Sequence, residues 1–362
     1  MNKEIIRELD NLGQSLWLDF ISRDIIQSGE LKKLINAGLM GVTSNPSIFH
    51  NAIAKSNDYD NEIKELASNG RSVEEIYDEL TVRDIQEAAD ILKPVYEKTA
   101  ERDGYISLEL NPLLAEDTEK TLSEGIRLHE KVNRENVMFK VPATDEGIVA
   151  IEELISRGIC VNITLIFSPE QYRKTAEAYI RGLKRLADNN EDLTKVHSVA
   201  SVFVSRIESM VDDLLEERGR EDLAGQAAVA NSMIIYSIYR GIENSPEFQE
   251  LSRKGANLQR VLWASTGTKN SAYSDIKYVT ELIAPDTVNT LPYNTLEKLI
   301  DHGTAKIALD ADDSKANEIF RDLEDAGVSM NEVFNVLLKK GLSAFEDAYR
   351  ELLASIEAKA KQ

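Results

Sequence analysis

Eight short stretches rich in β-branched and aromatic residues recur along this chain, with long helical patterns between them. They are Leu16–Phe20, Leu39–Ser44, Ile106–Leu110, Val137–Val141, Cys160–Phe167, Ser198–Val204, Arg260–Ala264 and Thr287–Leu291. Several are almost continuously apolar, which suits strands buried on both faces. Strands that alternate with helices predict an α/β fold with a parallel sheet, and eight of them predict a (β/α)8 barrel of the TIM type. A chain of 362 residues is long enough for two domains at about 150 residues each, but one such barrel often fills about 250 or more. No Pro/Gly/Ser-rich linker interrupts the pattern, so residues 1–362 are expected to form a single barrel domain.

The segments between the stretches carry helix signals. Ser168 is placed to cap a helix that has Pro169 at its first position and Glu170 in its first turn. Asp117–Val132 is a second helical pattern. Two interruptions are long: 46–105 after the second strand and 206–258 after the sixth must hold extra helices. The C-terminal region reads as helix throughout. Ser329 and Glu332 have capping-box spacing. Leu338, Leu342, Phe345, Tyr349, Leu352 and Ile356 then form a helical stripe, which could close one end of the barrel or join a partner; packing on the chain's own barrel is the expectation.

Composition excludes several function classes. The 63 acidic and 42 basic residues leave a net charge of −21, so no overall field attracts a nucleic-acid backbone or an anionic membrane. An anionic ligand must be held by a few local cations and amides. The one cysteine, Cys160, allows no internal disulfide and reads as a small buried thiol. His50, His129, His197 and His302 lack ligand spacing, so no metal site is expected. No GxGxxG or P-loop follows a strand, so no nucleotide cofactor is indicated. Met1 to Gly13 is charged and lacks an apolar core, and no stretch is long enough to span a membrane. A cytoplasmic protein is the expectation.

In such a barrel, chemistry sits at the C-terminal ends of the strands. Polar residues fall there on seven of the eight: Asp19, Asn45, Glu109, Lys140, Asn162 with Thr164, Ser201 with Arg206, and Ser265 with Lys269. Lys140 is the most informative, because its strand is otherwise apolar and burying an ammonium is costly. A free lysine has a pKa of about 10.4, so about 1 in 2,500 is neutral at pH 7. Surroundings that release its proton create an amine able to attack a carbonyl. Asp19 and Glu109 could move the protons that imine chemistry needs, or each could simply pair with a nearby cation. Asn45 precedes Pro46 and could bind a hydroxyl or close an Asx turn. Arg206, Ser265 and Lys269 could build a phosphate site, with Ser265-Thr266-Gly267-Thr268 presenting backbone amides, or could be solvated loop residues.

Six segments, in this order, resemble the transaldolase family: Leu16-Trp17-Leu18-Asp19, Thr43-Ser44-Asn45-Pro46-Ser47, Ser107-Leu108-Glu109, Phe139-Lys140-Val141-Pro142-Ala143-Thr144, Asn162 through Ser168, and Ser201 through Arg206. The resemblance runs nearly end to end, and the length suits the larger bacterial-type branch. It implies that Lys140 forms a Schiff base with the C2 carbonyl of a ketose phosphate. Asp19 would take the C4 hydroxyl proton as the C3–C4 bond breaks. Glu109 and Thr164 would position a water. Asn45, Asn162 and Ser201 would bind the hydroxyls of the three-carbon unit, and Arg206 with Ser265 would clamp phosphate. Sugar phosphates would be the substrates and no cofactor would be needed. A homodimer and a monomer are both compatible.

The sequence departs from the family pattern once. Many members carry an arginine shortly after the serine of the seventh strand, where this chain has Thr266-Gly267-Thr268-Lys269; Lys269 is assigned that role, as a point charge and not a bidentate fork. The fructose-6-phosphate aldolases of the same family tend to carry glutamine where this chain has Glu109 and tyrosine where it has Phe203. A non-catalytic barrel would be expected to have lost one of Lys140, Asp19 and Glu109. The expected function is therefore transfer of a dihydroxyacetone unit between sugar phosphates.

Overall fold

The computed structural model describes residues 4–361. Eight strands close into a barrel in sequence order: β1 (Gln14–Asp19), β2 (Gly41–Thr43), β3 (Tyr105–Glu109), β4 (Val137–Pro142), β5 (Val161–Ile166), β6 (Ser198–Phe203), β7 (Arg260–Ala264) and β8 (Thr287–Leu291). Every neighbouring pair is parallel. All eight expected strands are present. β2 is shorter than expected, beginning only at Gly41. Glycine is required there: Gly41 lies in register with Trp17, and a Cβ would sit 2.5 Å from the indole ring. The fully buried Trp17 thereby fills the barrel interior.

Side chains alternate along a strand, so residues 15, 17 and 19 share the inner face of β1. Ser15 and Trp17 lie at the floor, and Asp19 reaches the mouth. The floor is closed by one buried pair. Arg260 Nη2 lies 2.9 Å from Asp103 Oδ1. The Asp103 carboxylate also accepts from Ser15 Oγ and Trp17 Nε1, and Arg260 donates to Ser15 Oγ and the Arg102 carbonyl.

The helices follow the capping logic. Ser168 forms a complete capping box with Gln171 ahead of Pro169–Asp188, and Asp117 caps Thr118–Val132; each cap is worth about 1 kcal/mol. Three helices fill the interruption after β2: Pro46–Ala54, Asp60–Ser68 and Val73–Lys98. Ser205–Glu217, Ala227–Glu243 and Pro246–Arg253 fill the one after β6.

The C-terminal region corrects two expectations. It is not helical throughout, since 303–313 runs without helix between Tyr293–His302 and Ser314–Asp325. In the last helix, Met330–Ala360, the buried face runs from Met330, Val333 and Phe334 through Leu337 and Gly341, whereas Leu338 and Leu342 are only partly buried. The reason is close packing. A Cβ on Gly341 would meet the Leu165 side chain at 2.9 Å, so the contact point is a glycine, which hydrophobic periodicity passes over. From Phe345 to Ile356 the stripe is as expected. This helix packs chiefly on Pro46–Ala54, and also touches β5 and Ser205–Glu217, so it lies across the barrel mouth. Among the described residues, no helix is long and apolar enough to cross a membrane.

Candidate active site

A cavity of about 340 Å³ opens at the C-terminal ends of the strands. At its base, Glu109 and Lys140 are register partners on β3 and β4. In a parallel sheet, register partners face the same side, and here that side is the interior. Both are buried, and Lys140 Nζ lies 2.8 Å from Glu109 Oε2. Nζ also donates to the Ser44 carbonyl at 3.0 Å. Neither Glu109 oxygen has an aligned hydrogen-bond partner. Burial pushes the Glu109 carboxyl above its ordinary range, Lys140 pulls it back, and the charge of Asp19 adds to the rise.

Asp19 sits on the cavity wall in register with Thr43, whose hydroxyl donates to its Oδ1 at 2.7 Å. Thr43 Oγ1 also lies 2.7 Å from Thr290 Oγ1, so β8 contributes to the site through a residue that sequence reading passed over. Burial raises the Asp19 carboxyl too, opposed by Lys140, the Thr43 hydrogen bond and Arg206. Two carboxyls, one buried and one half-buried, whose protonation is opposed by one lysine form a coupled set suited to proton transfer.

On β5, Thr164 lines the cavity and its buried Oγ1 has no partner. The next residue, Leu165, stands at φ +59, and the register with β6 shifts between Ile163 and Ile166. A left-handed leucine inside a strand is strained. The irregularity aims Thr164 and is held from outside by Gly341. Asn162 lies deeper than expected of a ligand. It is register partner to Lys140, its Nδ2 donates to Ser107 Oγ at 3.0 Å, and its Oδ1 accepts from Ser201 Oγ at 2.6 Å. Of these two, only Ser201 reaches the cavity wall. Asn45 makes a local backbone contact and also borders the cavity. Its Oδ1 caps Pro46–Ala54 through the Ile48 amide at 3.0 Å, and the residue lines the cavity.

The opposite wall is cationic. Arg206 lies in the first turn of Ser205–Glu217, with its guanidinium 5.1 Å from the Phe203 ring centroid. Burial lowers its pKa, and Asp19 opposes that. Lys269, whose side chain stays accessible, is pushed down by partial burial and by the charge of Arg206. Among the described residues, neither forms an ion pair with a carboxylate. Ser265 stands at φ +55, with its Oγ 3.1 Å from Ser205 Oγ, and Thr268 Oγ1 has no partner. On a chain of net charge −21, two cations without a carboxylate ion pair in one cavity leave local positive charge, which is what an anionic ligand requires.

Sequence reading missed Thr43, Thr290, Lys298 and Phe345, all on the cavity wall. Lys298 lies in Tyr293–His302, 3.5 Å from Asp275. Phe345 comes from the last helix and sets its ring 5.7 Å from Lys140 Nζ. No local signal marks Lys298 apart from other helical lysines. Phe345 was visible only as one apolar stripe position. Among the described residues, no group of three or more His, Cys, Asp or Glu could hold a metal ion.

Comparison with known proteins agrees with this geometry. The family model for transaldolase/fructose-6-phosphate aldolase matches residues 16–356. The chain is 45% identical to a transaldolase of Trichodesmium erythraeum, covering 98% of this chain and 97% of that one. It is 44% identical to a transaldolase of Saccharopolyspora erythraea, covering 99% and 98%. With a transaldolase of Mycolicibacterium smegmatis the identity is 44% over 95% and 94%. The chain therefore belongs to the transaldolase/fructose-6-phosphate aldolase family.

Proposed function

We propose that this enzyme is a transaldolase that moves a dihydroxyacetone unit from a ketose phosphate to an aldose phosphate through a Schiff base on Lys140. The observation that carries this reading is a buried lysine amine, 2.8 Å from a carboxylate that burial disposes to take a proton, in a cavity with a cationic wall. Passing a proton from Nζ to Glu109 abolishes two buried charges at once and frees the amine electron pair.

The amine attacks the C2 carbonyl of fructose 6-phosphate or sedoheptulose 7-phosphate. The carbinolamine then loses its hydroxyl as water, with the proton delivered by a neighbouring acid. Glu109 and Thr164 Oγ1 both have unmet hydrogen-bonding capacity, as groups that handle this water require. Asp19 takes the proton of the C4 hydroxyl, and the C3–C4 bond breaks. The bonding electrons move to C3 and into the iminium, giving an enamine on Lys140 and a free aldose phosphate. Erythrose 4-phosphate or glyceraldehyde 3-phosphate enters, and C3 attacks its aldehyde carbon. Asp19 returns the proton to the new hydroxyl, and water releases the new ketose. The iminium acts as the electron sink, so this route needs no metal or organic cofactor. Asn45 and Ser201 bind the hydroxyls of the three-carbon unit, with Asn162 fixing Ser201 from behind. Arg206, Ser265 and Lys269 hold the phosphate.

Borohydride trapping tests the proposal. Incubation with fructose 6-phosphate and no acceptor, followed by reduction and peptide mapping, should place a three-carbon adduct on Lys140. With erythrose 4-phosphate present, sedoheptulose 7-phosphate should form without free dihydroxyacetone. An adduct on another lysine, or none on folded protein, would overturn the mechanism.

A further inference from the structure

After Ala264 the chain runs from 265 to 276 without helix or strand. This loop supplies Ser265, Thr268 and Lys269 to the cavity wall. Ordering such a segment costs conformational entropy, and Lys269 is also repelled by Arg206. A free loop would relax outward and separate the two cations, so something must hold it inward.

Near its start, Thr266 Oγ1 donates to the Thr290 carbonyl at 3.1 Å. Further along, the loop is clasped to Ser205–Glu217, the helix that carries Arg206. Tyr273 Oη donates to Asp212 Oδ2 at 2.7 Å, and Asp212 Oδ1 accepts from the Gly225 amide at 2.9 Å. Gly225 stands at φ +77, and a Cβ there would lie 3.0 Å from the Tyr273 ring. Behind Lys269 lies a second cavity, of about 260 Å³, bordered by Asp212 and Tyr273. The loop borders this open space, and the Tyr273–Asp212 hydrogen bond bridges it to the helix on that side.

We infer that Asp212 and Tyr273 are positioning residues for anion binding. They hold Lys269 near Arg206 against charge repulsion, and so set the affinity for the phosphate end of the substrate without touching the reacting atoms. The inference rests on the reading of Arg206, Ser265 and Lys269 as the phosphate clamp.

The test compares Tyr273→Phe, Asp212→Asn, Asp212→Ala and Lys269→Ala. Two constants are measured for each: KM for fructose 6-phosphate, and the inhibition constant for inorganic phosphate. Tyr273→Phe keeps the ring and removes only the donor. It should raise both constants roughly three- to tenfold, the worth of one hydrogen bond. Its kcat and its yield of borohydride-trapped adduct should stay within about twofold, since only binding is affected. Asp212→Asn retains an acceptor and should lie closer to the parent enzyme than Asp212→Ala does. If Lys269→Ala raises both constants while Tyr273→Phe and Asp212→Ala leave them unchanged, the clamp stands and the positioning role falls. If Lys269→Ala changes neither constant, the clamp reading falls and takes this inference with it. A loss confined to kcat in Tyr273→Phe would also overturn it.

Discussion

The two ends of the barrel use the same residue types for opposite purposes. At the floor, Arg260 meets Asp103, and Ser15, Trp17 and the Arg102 carbonyl complete the pair. At the mouth, Arg206 and Lys269 face a cavity with no carboxylate ion partner among the described residues, Glu109 touches Lys140 without alignment, and the Thr164 hydroxyl has no partner. Buried charge is tolerated when it is paired and hydrogen-bonded. The floor meets that condition within the chain. At the mouth Lys140 and Glu109 pair within the chain, but Arg206 and Lys269 are left for something else to neutralise. The difference separates charges satisfied within the chain from charges left open to a ligand.

Variants can break this comparison. The largest effect should come from Lys140→Met, which removes the proposed nucleophile. Turnover should fall at least ~10³-fold, while the melting temperature holds, because Glu109, whose carboxyl burial already raises, can go neutral once the lysine is gone. A folded variant that keeps its activity would remove the distinction at the mouth. Arg260→Met should do the reverse. Leaving Asp103 buried and unpaired costs about 3–5 kcal/mol of stability, measurable by urea unfolding, with kcat of the folded fraction unchanged.

Glu208 offers an intermediate case, close behind the mouth. It is 1% exposed and forms no ion pair among the described residues. Burial, with Asp212 nearby, pushes its carboxyl up to about 7. Its folded pKa exceeds its unfolded value of 4.5, so the native state holds more protons between those values. Stability therefore falls as pH rises from about 4.5 to 7, and the penalty is fully present above 7. Glu208→Gln should stabilise the protein at pH 8 by on the order of 2–3 kcal/mol and give no gain near pH 4. An equal gain at both values would mean that packing, not charge, is at issue. The smallest effect should come from Gly341→Ala, which presses on Leu165. Overpacking of this kind costs about 1–2 kcal/mol, and a reduced kcat should accompany it through Thr164. Leu165→Ala in the same chain should restore part of the kcat.

The barrel was legible because its strands are buried on both faces, so most of them read as apolar runs. Lys140 was legible for the same reason, as a cation set inside such a run. Asp19 and Glu109 could be placed at strand ends, but whether they meet the lysine depends on register, which one strand's sequence does not carry. Thr290 was hidden because a threonine in a strand is ordinary. Phe345 and Gly341 were hidden because their importance lies in what the last helix crosses, and that is set by the whole topology. Lys298 and Tyr273 belong to the same class: both are commonplace locally and informative only beside Asp275 and Asp212.

The helix Met330–Ala360 has one further consequence. It is synthesised after all eight strands, yet it supplies Phe345 beside Lys140 and seats Gly341 on Leu165. A nascent chain with a closed barrel still lacks one wall of its site. Lys140, Arg206 and Lys269 are brought together as the barrel closes, and what the end of the chain adds is the apolar wall beside the amine and the brace against Leu165.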